Sequence, residues 1–314
     1  VPRQSVIEWE RRRALPVALA TLAAVALLIV SNAIAPASGE GAAEALTSVE
    51  RHKGSLTLSS LMQAIGFLLL TAPLYYLFRA ARVRSPRMRP QLVGLIVAGP
   101  LFLAVSAGLT IGARSDAADQ FAAGEAKSTL SAAEAKEKCE SDRKDEGAKE
   151  FAEEFDPAKG ETPLAACEKQ KSEDDEAENA LGEASLSPFV SGLGLAGALA
   201  FVVSFFYAGL WAMRSGLLSR FWGSLGMVAG ITFLLGPLFI VALVWLVYFA
   251  FLLFGKVPGG KPPAWEAGEA IPWPTPGEKA AAELEPSEDA EEGAEGDEPA
   301  PPEDGERRKR KQRE

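Results

Sequence analysis

Histidine is nearly absent from the 314-residue chain: the single residue, His52, stands between Arg51 and Lys53. One imidazole cannot supply the paired ligands of a haem or of a histidine-based zinc site. No HExxH run, no Ser–His dyad and no pair of intramembrane aspartates is there for proteolysis. A P-loop and a phosphate-binding glycine fingerprint are missing too. Charge is absent from long stretches: no Asp, Glu, Lys, Arg or His falls in residues 14–35, 56–78, 90–112, 188–213 or 221–254. Ionisable groups inside a membrane mark proton relays and pumps, so this absence counts against proton-coupled transport. The sequence therefore leads to the expectation of no enzyme, with no catalytic residue, no cofactor, no metal site and no nucleic-acid partner.

What the sequence has in abundance is apolar length. Runs near 14–35, 56–78, 90–112 and 188–213 each match the ~20 residues of a spanning helix. The first follows Arg11-Arg12-Arg13. It exceeds the ~7–15 residues of a signal-peptide core, so it reads as an uncleaved anchor. The uncharged stretch 221–254 would be ~51 Å long as one helix, against a hydrocarbon core of ~30 Å. Gly236-Pro237 near its middle marks a break, which predicts two short spans, 221–236 and 237–254.

Orientation follows from RAARVRSPRMR, which places Arg79, Arg82, Arg84, Arg87 and Arg89 between two apolar runs. Arginine resists translocation and is drawn to anionic lipid, so these five residues act as topology determinants on the cytoplasmic side. With six spans, Arg3, Arg11–Arg13, Arg214, Arg220, Lys256 and Lys261 join them, while the short external loops hold only Arg51 and Lys53. The expected location is the cell membrane, multi-pass, with N- and C-termini cytoplasmic.

Residues 113–187 form an acidic extracytoplasmic segment, rich in the helix formers Ala, Glu and Lys. They are expected to continue the third span as helix through about Arg143, turn near Asp156-Pro157, and return as a helical hairpin. The only cysteines, Cys139 and Cys167, lie in it at roughly similar heights. A disulfide between them is the expected state outside the cell, with two free thiols or a bond between chains as the alternatives.

After Lys256 the Pro/Gly-rich stretch PGGKPPAWEAGEAIPWPTPGEK argues against a packed domain. Residues 283–306 hold twelve acidic residues and no basic one. The whole of 255–314 is thus expected to be a disordered cytoplasmic tail, closing on the basic RRKRKQRE. Trp211, Trp222, Trp265 and Trp273 are placed to anchor at the inner interface. Within the spans, Asn32 and Gln63 are the polar residues most worth testing, as hydrogen-bond partners of neighbouring helices or contacts to a solute. Small-residue pairs, Gly94/Ala98, Gly194/Ala198 and Gly226/Gly230, suggest close helix packing.

The stretches RAARVRSPRMRPQLVGLIV and PGGKPPAWEAGEAIPWPTPGEKAAAEL resemble uncharacterised multi-pass membrane proteins of actinobacteria. That resemblance implies the class and carries no activity. The fold class expected is an all-α integral membrane protein: a six-helix transmembrane bundle, the acidic hairpin and the tail. Its partners would be membrane lipid and a protein engaged through the hairpin or tail. The function expected is a non-enzymatic structural or interaction component of the membrane; the alternative is a facilitator or channel for a small neutral solute.

Overall fold

The computed structural model describes residues 3–36, 39, 41–147, 151, 162–234 and 239–273. Among these residues all regular structure is helical. The chain runs α1 (Arg3–Ile34), α2 (Ala42–Arg51), α3 (Lys53–Arg84), α4 (Val93–Ala122) and α5 (Ala132–Glu146). It continues as α6 (Pro163–Glu183), α7 (Ser187–Arg214), α8 (Arg220–Thr232), α9 (Ile240–Phe254) and the short α10 (Pro263–Ala267).

Four helices, α1, α3, α4 and α7, are long and apolar enough to cross a membrane. Their outward faces expose Leu19, Leu61, Leu68, Leu101, Leu199 and Val203. An apolar exterior of that extent suits hydrocarbon, where a helix succeeds because its backbone groups pair within the segment. Neighbours close a ring: α1 on α3, α3 on α4, α4 on α7, α7 on α8, α8 on α9, and α9 back on α1. The α4–α7 crossing is tight because glycine meets backbone from both sides. A Cβ on Gly99 would lie 3.0 Å from the Phe201 nitrogen, and one on Gly197 would lie 2.9 Å from the Leu103 nitrogen. Of the pairs suggested by spacing, Gly226 and Gly230 do meet close neighbours, Trp245 and Phe205, while Gly94 has open space around it.

The stretch expected as two short spans contains α8 and α9, both shorter than the four long helices. Trp222, near the start of α8, accepts at its carbonyl from Trp245 Nε1 at 2.8 Å and stacks on Tyr248 with centroids 3.4 Å apart. Leu253 and Phe254, at the end of α9, lie beside Glu10 and Ala14 of α1. Both outer ends of the pair are therefore at one end of the bundle, the end bearing Arg84 and Arg214. Phe233, just past α8, packs on Phe67 and Phe201 at centroid distances of 6.0 and 4.7 Å. Those two residues stand midway along α3 and α7. At ~1.5 Å per residue, α8 and α9 measure about 20 and 22 Å, short of the ~30 Å core. Among the described residues the two helices run antiparallel between the arginine end and the middle of the bundle. Gly236-Pro237, the expected break, lies outside the described residues, as do the tip of the acidic hairpin and the tail beyond Trp273.

At the opposite end sits a second layer. The short connection that carries Arg51 and Lys53 contains α2, whose Leu46 and Val49 bury against Ala117 and Ala118 of α4 and Ala177 and Ala180 of α6. The third span does not continue as helix through Arg143. It stops at Ala122, Gly124 turns with φ +66°, and α5 starts afresh from a Ser131–Glu134 capping box. The turn is held from across the layer by Asp175 of α6, which accepts from Ser128 Oγ at 2.9 Å and from the Thr129 and Leu130 N–H groups at 2.6 and 3.0 Å. Helix propensity in this stretch is outweighed by a tertiary acceptor.

The Ser128 hydroxyl above all, then the Leu130 and Thr129 N–H groups, hold the Asp175 carboxyl below the usual range against the opposing effect of burial. A carboxylate lowered on folding stabilises above its unfolded pKa of about 4, and that contribution fades as pH falls through the lower folded value. The protection of amide hydrogens in residues 123–131, relative to their intrinsic exchange at each pH, should therefore fall on acidification below about pH 4. Asp175→Asn should raise exchange there at neutral pH and flatten the pH dependence.

Candidate functional site

An open concavity lies in this second layer, a groove of about 780 Å³ between α2 and α6 that Phe121 of α4 also lines. Its α2 wall presents Glu44, Thr47, Ser48 and Arg51, three to four residues apart and so on one helix face. Its α6 wall presents Lys169, Gln170 and Glu173 at the same spacing. The groove's end is set by Asp174, whose Oδ1 accepts the Ala43 N–H at 3.0 Å and so caps α2. Residue 41 must be glycine for this approach, since a Cβ there would sit 2.2 Å from the Asp174 carboxylate. His52 borders the groove with Nδ1 3.0 Å from the Ser48 carbonyl. Both signs of charge line it, Arg51 and Lys169 facing Glu44, Glu173 and Asp174. Among the described residues no three His, Cys, Asp or Glu side chains converge on a metal position. The arrangement offers hydrogen bonds and charge to a binding partner.

α6 is fixed in place by Cys139 and Cys167, which form a disulfide between α5 and α6 with Cα atoms 6.0 Å apart. Both are fully buried beside Phe151. Lys171 and Asp142 add an ion pair at 3.1 Å between the same helices.

At the arginine end the five expected topology determinants divide into different roles. α3 runs through Arg84, so Arg79, Arg82 and Arg84 belong to a helix and only Arg87 and Arg89 to the loop. Arg79 lies over the Trp9 ring at 4.2 Å. Arg82, Arg87 and Arg89 are exposed, and the Arg89 N–H donates to the Tyr207 hydroxyl at 2.8 Å. Arg84 is buried. Its two terminal nitrogens hold both carboxylate oxygens of Glu10, the second at 2.9 Å. Nε and Nη2 also donate to the Ala264 carbonyl at 3.1 and 2.9 Å. A stack of Trp9, Tyr76 and Trp265 roofs this pair, with successive centroids 5.3 and 5.9 Å apart.

Residues 255–273 are consequently not part of a disordered tail. Ala264 and Trp265 are buried, and the Trp265 and Trp273 indoles donate to the Leu217 and Leu218 carbonyls at 2.8 and 2.9 Å. Trp265 and Trp273 thereby cap the α7–α8 turn, because a buried turn carbonyl needs a donor. Asn32 is exposed and donates to Leu28 of its own helix at 2.8 Å. Gln63 is half-buried and makes no hydrogen bond to another described residue. Neither joins two helices. Glu10, by contrast, escaped notice: its only sequence signal is a lone acid between Trp9 and a run of three arginines.

Comparison of the chain with protein-family models, curated proteins and solved structures finds no match.

The Glu10–Arg84 pair sets a measurable expectation. Arg84→Met strands a carboxylate in a dry site and should destabilise the protein by about 3–5 kcal/mol. Glu10→Leu/Arg84→Met should recover part of that loss, since apolar replacement of both charges removes the unpaired one. Thermal unfolding in detergent, followed through near-ultraviolet circular dichroism of the tryptophan stack, separates the two.

Proposed function

We propose that this is a multi-pass protein of the cell membrane, not an enzyme, that presents a stapled outer layer as a docking platform for an extracytoplasmic protein segment. The groove between α2 and α6 is the observation that carries this reading. It is large, polar and lined by both charge signs, and it stands on a hairpin that a disulfide and an ion pair hold in shape. A partner segment carrying acids toward Arg51 and Lys169 and bases toward Glu44 and Glu173 would complement it. Within the bundle nothing comparable offers itself for chemistry: no buried side-chain nitrogen or oxygen of the described residues lacks a partner.

In this reading α1, α3, α4 and α7 span the bilayer and α8–α9 is re-entrant, entering and leaving on the arginine side. Four spans plus such a hairpin leave Arg11 and Lys261 on one side, as six spans would, and the arginine-rich end faces the cytoplasm. Re-entrant backbone at mid-depth is tolerated where protein wraps it or water lines it. The second case would favour passage of a small neutral solute. The Phe67, Phe201 and Phe233 rings around the end of α8 support the first.

The topology is tested by placing cysteine at Leu234 and treating whole cells with an impermeant thiol reagent. The native cysteines, being bonded, stay silent. Shielding of position 234 is expected, and labelling there would return the count to six spans. The function is tested by complementation of a gene deletion. Groove-filling Thr47→Trp with Gln170→Arg should fail at normal membrane levels, whereas Gln63→Leu should complement. The reverse pattern would transfer the function to a solute path through the bundle.

A further inference from the structure

At the arginine end a cleft of about 500 Å³ opens between α1 and α9. Arg11, Lys261 and Glu266 make its polar wall, and Leu15, Phe254 and Trp265 its apolar one. Glu10 also borders it, but Arg84 holds both of its carboxylate oxygens. Two cations therefore face one available carboxylate. Arg11 makes no ion pair among the described residues. Lys261 donates to the Leu253 carbonyl at 3.0 Å, one of the last carbonyls of α9, which have no intrahelical amide partner. Burial first, and the Arg11 guanidinium next, hold the Lys261 ammonium below the usual lysine range, with Glu10 and Glu266 opposing.

Arg11, Leu15 and Leu19 follow at intervals of four on one face of α1, and the two leucines are 58% and 55% exposed. A basic mouth above an apolar track on the same helix face matches the two parts of a phospholipid. We propose that the cleft between α1 and α9 binds one anionic phospholipid, its phosphate between Arg11 and Lys261 and an acyl chain along Leu15 and Leu19. A soluble anion would use only the mouth, so the leucine track commits the site to lipid. Basic clefts between helices at a membrane surface hold anionic head groups for the same reasons, charge at the head and apolar contact at the tail. Trp265 also lines the cleft with its ring, its indole N–H being engaged by the Leu217 carbonyl.

The inference rests on the membrane reading above and is independent of the outer groove. The full chain is purified in mild detergent, mixed with equal amounts of phosphatidylglycerol and phosphatidylcholine, and examined by native mass spectrometry. A chain that stays soluble without detergent would overturn the membrane reading itself before any lipid is added. Otherwise one phosphatidylglycerol adduct is expected. Arg11→Gln/Lys261→Gln should weaken its retention about thirtyfold, as loss of two cations near an anionic head group implies. Arg143→Gln/Lys144→Gln, at the other end of the molecule, should leave it unchanged. Glu266→Gln should strengthen it, and because that variant leaves Arg11 and Lys261 in place it decides the matter if the double variant does not fold. Equal retention of phosphatidylcholine, no loss in the double variant, no gain in Glu266→Gln, or displacement by millimolar inorganic phosphate would each overturn the proposal.

Discussion

A guanidinium that leaves water must keep all its donors engaged, and Arg84 does so by drawing three distant parts of the chain together. Its partners are the Glu10 carboxylate, 74 residues away, the Ala264 carbonyl, 180 residues away, and the Ala80 carbonyl one turn back on its own helix. The entry of α1, the exit of α3 and the segment after α9 thereby share one point. Desolvating a charge pair is costly, and such pairs are weak sources of net stability. Their effect is on specificity, because any arrangement that separates Glu10 from Arg84 leaves an uncompensated charge in a dry site. The aromatic stack above the pair keeps water from competing for it.

The shape of the bundle depends on that closure. Once 255–273 is pinned beneath the helices, its indoles satisfy the carbonyls of the α7–α8 turn, and the turn delivers α8 beside α7. The α8–α9 pair then fills the gap between α7 and α1. Its glycine faces admit Trp245 and Phe205 closely, so packing there is ring against backbone. In hydrocarbon, where apolar burial offers little gain between helices, contact quality of this kind holds helices together.

The second layer, at the other end of the long helices, obeys different physics because its helices are short and rich in charged residues. Short helices with few apolar residues gain little from burial, and the alanine-rich cluster under α2 is thin. Covalent and polar links compensate: a disulfide joins α5 to α6, Asp175 gathers the loop before α5, and Asp174 caps α2. Restricting the unfolded chain is the main route by which such a crosslink stabilises a small layer. The same links leave the groove between α2 and α6 open.

Hydropathy alone determined the membrane class, the positions of the four long helices and the presence of an outer acidic segment containing both cysteines. These are properties of composition and length, set by how much apolar chain is needed to cross ~30 Å of hydrocarbon. The path of 221–254 was beyond that reach, since an apolar run has the same hydropathy whether it spans or turns back. Nor did spacing identify Gly99 and Gly197 as the contact, because which helix face meets a neighbour depends on the neighbour. The packing of 255–273 against the bundle, the burial of Glu10 with Arg84, and the groove walled by α2 and α6 were decided only in the tertiary structure. Each joins residues far apart in sequence through a hydrogen bond or charge whose value depends on the exclusion of water, and water exclusion is a property of the assembled fold.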